Sequence, residues 1–187
     1  MKRIAALLLT VILLAACPAL AQPAFSLRSG VTWDSTMMDV MRMEGTPDSV
    51  SQMTYSICMY LDAAVSNYQA EMDYVFAGED LAAVQYVFRT HEDSASHAGY
   101  KRQYIRGALT QKYGNPGTIS GAESEEIMAR IYDYPFDPSW EIDNRACWAL
   151  ADGTRIIWYE MEIGFSVLYV NPLFDTLTPA EYNTSGL

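Results

Sequence analysis

Few residues in this chain have the type and spacing that chemistry needs. Glu160 and Glu162 stand two apart, so on one strand they would share a face and could work as an acid/base pair. Two acidic side chains on a strand's wet face are more often just that face. His91 and His97 are the only histidines, with Glu92 and Asp93 beside them. Their spacing matches no recognised ligand pattern, so a polar connector is favoured over a metal site. Cys58 and Cys147 lie in strand-like runs without an adjacent base, which argues against a thiolate nucleophile. No nucleophile elbow, phosphate loop or dinucleotide fingerprint is present. The residues thus favour a non-catalytic protein and imply no cofactor. The alternatives are a secreted carboxylate-dependent hydrolase and a metal-binding protein.

Trp158 offers a different kind of site. In a strand it shares a face with Thr154, Ile156 and Glu160. If that face is wet, Trp158 and Glu160 form an aromatic and acidic anchor for a partner. If it is covered, Trp158 is core.

The N-terminus reads as an export signal. Met1-Lys2-Arg3 precedes the apolar run Ile4 to Ala16, and Ala19-Leu20-Ala21 supplies a cleavage site before Gln22. The run is too short to span a bilayer. A second reading takes Leu14-Ala15-Ala16-Cys17 as a lipobox, with a lipid on Cys17. Either way the protein is expected to be exported, secreted or held in the cell envelope. Losing Lys2 and Arg3 with the leader takes the net charge from −11 to −13. That charge disfavours nucleic acid and anionic lipid surfaces. An unidentified protein or envelope component is the expected partner. In an oxidising compartment Cys58 and Cys147 could pair as a disulfide, or remain two buried thiols.

The elements that would position these residues follow from periodicity. A capped helix runs from Asp34 to Glu44, with Met37, Val40 and Met41 on one face, and stops at Gly45-Thr46-Pro47. Strands follow at Gln52–Leu61, Val65–Phe76 and Leu81–Arg89, the last two joined by a turn at Ala77–Asp80. Tyr68, Ala70, Met72, Tyr74 and Phe76 face one way, while Gln69, Glu71, Asp73 and Val75 suggest a wet reverse face. A second helix spans Ser94 to Tyr113 and ends at Gly114-Asn115-Pro116. It carries Lys101, Arg102, Arg106 and Lys112, the one basic island, expected as a solvated face. A third helix near 123–132 is followed by the Tyr134–Pro138 loop. Strands at Arg145–Leu150, Arg155–Met161 and Phe165–Val170 complete the chain, the first two joined by an Asp152-Gly153 turn.

The expected fold is α+β, an antiparallel sheet with helices packed on one face, in the order α-β-β-β-α-α-β-β-β. Residues 1–21 are the signal and 22–28 a lead segment. Residues 29–172 form one domain, with halves 29–93 and 94–172 built around the two Gly-x-Pro stops. Residues 173–187 are a tail.

Thr36-x-x-x-Val40, Gly45-Thr46-Pro47 and the hairpin Tyr74 to Leu81 together resemble the BamE (SmpA/OmlA) domain. The repeat at Gly114-Asn115-Pro116 is similar to the tandem form of the β-lactamase-inhibitor-protein fold. The chain departs from the pattern at Trp33-Asp34, where the family has glycine, and in its extra helix before the second strand set. The resemblance implies an exported, non-enzymatic module that binds through its sheet surface.

Overall fold

The computed structural model describes residues 27–132 and 143–179. The leader with Cys17, the Tyr134–Pro138 loop and the end of the tail lie outside the described residues. A 3-10 turn (Arg28–Gly30) leads into α1 (Met37–Glu44), then β1 (Ser49–Gln52), β2 (Ser56–Val65), β3 (Tyr68–Ala77) and β4 (Asp80–Arg89). Helices α2 (Ala95–Tyr113) and α3 (Gly121–Tyr132) come next, followed by β5 (Asp143–Ala149), β6 (Arg155–Met161) and β7 (Gly164–Val170). The fold is α+β, as expected. The seven strands form one antiparallel sheet in the order β1-β2-β3-β4-β7-β6-β5. Two meanders therefore meet at the β4–β7 seam, where Ala83 pairs with Val170 and Arg89 with Gly164.

The first meander follows α1 directly and the second follows α2 with α3 in between, and α1 and α2 end in the same way. Thr36 caps α1 by accepting from the Asp39 amide, and the Asp39 carboxylate accepts from the Thr36 amide in return. That reciprocal pair satisfies two free donors at the helix start. Ser94 caps α2 through the His97 amide. Gly45 (φ 96°, ψ −169°) and Gly114 (φ 87°, ψ −170°) then turn the chain out of α1 and α2 with nearly identical backbone angles. A side chain at such positive φ is strained, and the following proline blocks further helix.

The structure differs from the sequence expectation in three places. A short edge strand, β1, precedes the three strands expected in the first half. Second, Val65–Phe76 is not a continuous strand. Ser66 (φ 50°) and Asn67 (φ 69°) make a tight turn between β2 and β3, a conformation that two-residue hairpin loops require. Third, the helices do not share one face. On the first face α1 and α2 cover Tyr74, Phe76, Val84, Phe88, Trp158 and Phe165, using Val40, Ile105 and Leu109. On the second face α3 covers Val75, Ala83, Ile157, Tyr159 and Leu168, using Ile127, Met128 and Ile131. Phe174, beyond β7, completes that second core. Both faces of the central strands are apolar, so both need a cover. Each buried aliphatic side chain of α3 contributes roughly 1.5–3 kcal/mol. Ion pairs fasten its rim: Arg145 to Glu125 at 2.9 Å, Arg155 to Glu123 at 3.3 Å and Arg130 to Asp175 at 3.1 Å. Among the described residues, no helix is long and apolar enough to cross a membrane.

Candidate binding cleft

Between the 3-10 turn and α2 lies a cleft of about 370 Å³. Its floor is the β4–β7 seam, with Tyr86 and Phe88 from β4 and Val167 and Tyr169 from β7. Strand alternation brings these four to the first face. One wall is α2, which presents Ile105, Ala108, Leu109 and Lys112 at helical spacing, with Tyr113 beside them. The opposite wall is Leu27 and Arg28, and the β2–β3 turn adds Val65 and Ser66 at one end. The volume lies in the range of small-ligand sites, which are mostly apolar with a few placed polar groups.

Hydrogen bonds and one ion pair hold the polar side of the cleft. Arg28 Nε lies 3.1 Å from Glu44 Oε2, and Arg28 Nη1 donates to the Ala64 carbonyl at 2.9 Å. Glu44 is only 3% exposed at its side chain and also accepts from the Tyr74 hydroxyl at 2.9 Å. The end of α1 is thereby tied to the sheet. Tyr86 and Tyr169 meet edge to face at 5.8 Å. Burial above all holds the Tyr86 hydroxyl protonated, with the Glu44 charge adding to it. Burial likewise pushes Tyr169 far above the ordinary phenol range, helped by Tyr113 and Tyr86. These hydroxyls are neutral hydrogen-bonding groups at any physiological pH. The described lining contains no carboxylate, histidine or cysteine. Among the described residues the lining offers apolar contact, neutral hydroxyls and the cations Arg28 and Lys112.

The residues singled out in the sequence lie elsewhere. Trp158 is 0% exposed. It stacks on Phe165 at 4.5 Å, which stacks in turn on Phe88 at 4.8 Å. The Thr154/Glu160 face is thus the covered one, and Trp158 is core and no surface anchor. Glu160 faces α2, with its Oε2 3.5 Å from Arg102 Nε. Glu162 sits in the exposed β6–β7 turn. His97 Nδ1 lies 3.0 Å from Asp93 Oδ1, and Lys101 Nζ lies 2.7 Å from Asp93 Oδ2. The hydrogen bond from Lys101, with that from His97, holds the Asp93 carboxyl below its usual range. Asp93 thus ties the start of α2 together. His91 lies on the exposed connector, 3.7 Å from Glu92. Among the described residues, no group of three acidic, histidine or cysteine side chains could hold a metal.

Cys58 and Cys147 are free thiols, which corrects the disulfide expectation. They sit on β2 and β5 with four strands between them, about 24 Å apart at the usual strand spacing. They also belong to opposite faces. A disulfide requires Cα atoms within about 7 Å. Burial pushes the Cys58 thiol up to about 11, so it is inert near neutral pH.

The cleft is not legible in the sequence because its floor and walls come from five separate segments. The one signal in the sequence was the basic face of α2, which includes Lys112. No family model, curated protein or solved structure matches the chain.

Proposed function

We propose that this protein is an exported, non-catalytic binding module that holds an envelope component on the sheet surface opened by the cleft. The observation that carries the reading is the cleft itself, an apolar floor with neutral tyrosine hydroxyls and no acid/base pair. The export part rests on the leader-like N-terminus, and kinship with BamE-like domains rests on the two Gly-x-Pro stops and the hairpin motif. The cleft replaces Trp158 as the binding surface, because Trp158 is enclosed.

The test uses N-phenyl-1-naphthylamine, an uncharged apolar dye, titrated into the purified full chain by fluorescence. Saturable binding of one dye per chain is expected. Ala108→Trp, which fills the mouth from an exposed helix position, should abolish it. Non-saturating uptake, or uptake indifferent to Ala108→Trp, overturns the cleft assignment. Mass spectrometry of the native N-terminus addresses export: Gln22 or a lipidated Cys17 supports it, and an intact Met1 overturns it.

A further inference from the structure

We infer that the cleft takes an amphipathic anion, with its apolar body on the β4–β7 seam and its acidic head at Lys112. This inference rests on the cleft being the binding site. The chain is strongly acidic, with 23 acidic residues against 12 basic ones. Its cations are accordingly almost all taken. Among the described residues, every arginine and lysine except Arg106 and Lys112 has a carboxylate within 3.5 Å. In so acidic a chain, a cation left without a carboxylate is the unusual case.

Of the two exceptions, only Lys112 lines the cleft. Six residues apart on a helix, the two project to different sides. The Lys112 ammonium lies 4.9 Å from the centre of the Tyr113 ring, which positions it without neutralising it. It lines the same cleft as Tyr86, Phe88 and Val167 of the floor and Ile105 and Leu109 of the apolar wall. Lys112 is itself exposed, so an anion can reach its charge while an apolar body lies on the cleft lining beside it. Arg28, on the other wall, is occupied by Glu44 and the Ala64 carbonyl. One free positive charge at one end therefore selects a ligand with one acidic head and an apolar body.

Lys112 also stands in the last turn of α2, where the helix dipole favours a cation. The experiment must separate that role from ligand binding. Two dyes share one apolar body: 8-anilino-1-naphthalenesulfonate carries a sulfonate, and N-phenyl-1-naphthylamine does not. The full chain should bind the sulfonate at least about tenfold more tightly. Lys112→Gln should remove that preference and leave the uncharged dye unaffected, while Arg106→Gln should change neither. Decanoate and decyl phosphate should displace the sulfonate dye, the tighter of the two naming the headgroup, and decanol should compete poorly. Equal binding of the two dyes, or equal effects of Lys112→Gln and Arg106→Gln, overturns the inference. So does a Lys112→Gln variant that loses thermal stability but keeps its preference for the sulfonate. If neither dye binds, the cleft reading fails as well. If only the charge preference is missing, the cleft reading stands and the anion does not.

Discussion

The Asp73 carboxylate and the Tyr132 hydroxyl meet at 3.2 Å, linking β3 to the last residue of α3. Tyr132 also hydrogen-bonds the Gln85 side chain on β4. Gln85 reaches onward from its amide nitrogen, to the Tyr159 hydroxyl at 2.8 Å and Ser166 Oγ at 3.3 Å. The Tyr132 hydroxyl has one proton to share between two acceptors, Asp73 and the Gln85 carbonyl. The count closes if Asp73 itself carries a proton and donates it to Tyr132. Asp73 is 4% exposed, and its other oxygen finds no partner among the described residues.

Burial, reinforced by the Glu71 charge, raises the Asp73 pKa to about 7, against the smaller lowering effects of Tyr132 and Arg89. The unfolded chain ionises at an ordinary value near 3.8. The folded state therefore holds the proton more tightly. This contribution to stability is complete below about pH 4 and is lost as pH rises through about 7, a loss on the order of 4 kcal/mol. Asp39 and Asp93, both lowered by their partners, act in the opposite sense, but only in acid. Urea unfolding between pH 5 and 8.5 should show stability falling with pH in the wild type. Asp73→Asn, which keeps the donor toward Tyr132, should flatten the curve and be the more stable protein at pH 8. Parallel curves for the two proteins would rule out a proton on Asp73.

At the other cover, Glu44 depends on Arg28. The carboxylate is nearly enclosed, while the guanidinium is 35% exposed. Arg28→Met leaves a buried charge without its partner. Because Arg28 is partly solvated, the cost should fall below that of a fully buried pair, at about 2 kcal/mol. Glu44→Gln keeps a group for Tyr74 to meet and should cost about 1 kcal/mol. Combining the two should cost less than their sum, since neither charge is then stranded. Additive values from denaturant unfolding would show that the ion pair does not hold α1 in place.

The enclosed position of Trp158 gives it a purely structural signature. Trp158→Ala should destabilise the domain by about 3–5 kcal/mol, read by thermal or urea unfolding. Trp158→Phe should cost much less, because it keeps the stack on Phe165 and removes an Nε1 donor that no described residue satisfies. A Trp158→Ala protein of unchanged stability would contradict the packing. So would equal losses in the two variants.

Local signals carried much of the architecture. The Gly45 and Gly114 stops, the Asp152-Gly153 turn and the alternation in β3 are short-range features, each fixed by backbone geometry within a few residues. They determined the helices, most strands and the α+β class. The β2–β3 turn at Ser66-Asn67 was missed because it has no glycine or proline to mark it. The reverse face of β3 read as wet because Glu71 and Asp73 alternate with its core residues. Its burial was legible only in the unbroken run Ile156-Ile157-Trp158-Tyr159 on β6, where no position is left for water.

The sequence by itself determined where the chain turns, which segments are helix or strand, and its acidic charge. Tertiary structure decided that α3 crosses to the second face, that Trp158 is sealed, that Cys58 and Cys147 stay apart, and that Lys112 lines one cleft with the β4–β7 seam. The reason is physical. Turns and periodicities depend on neighbours in the chain, whereas burial and ion pairing depend on which distant segments share a face. That is settled only when β4 pairs with β7 and the covers close over both sides.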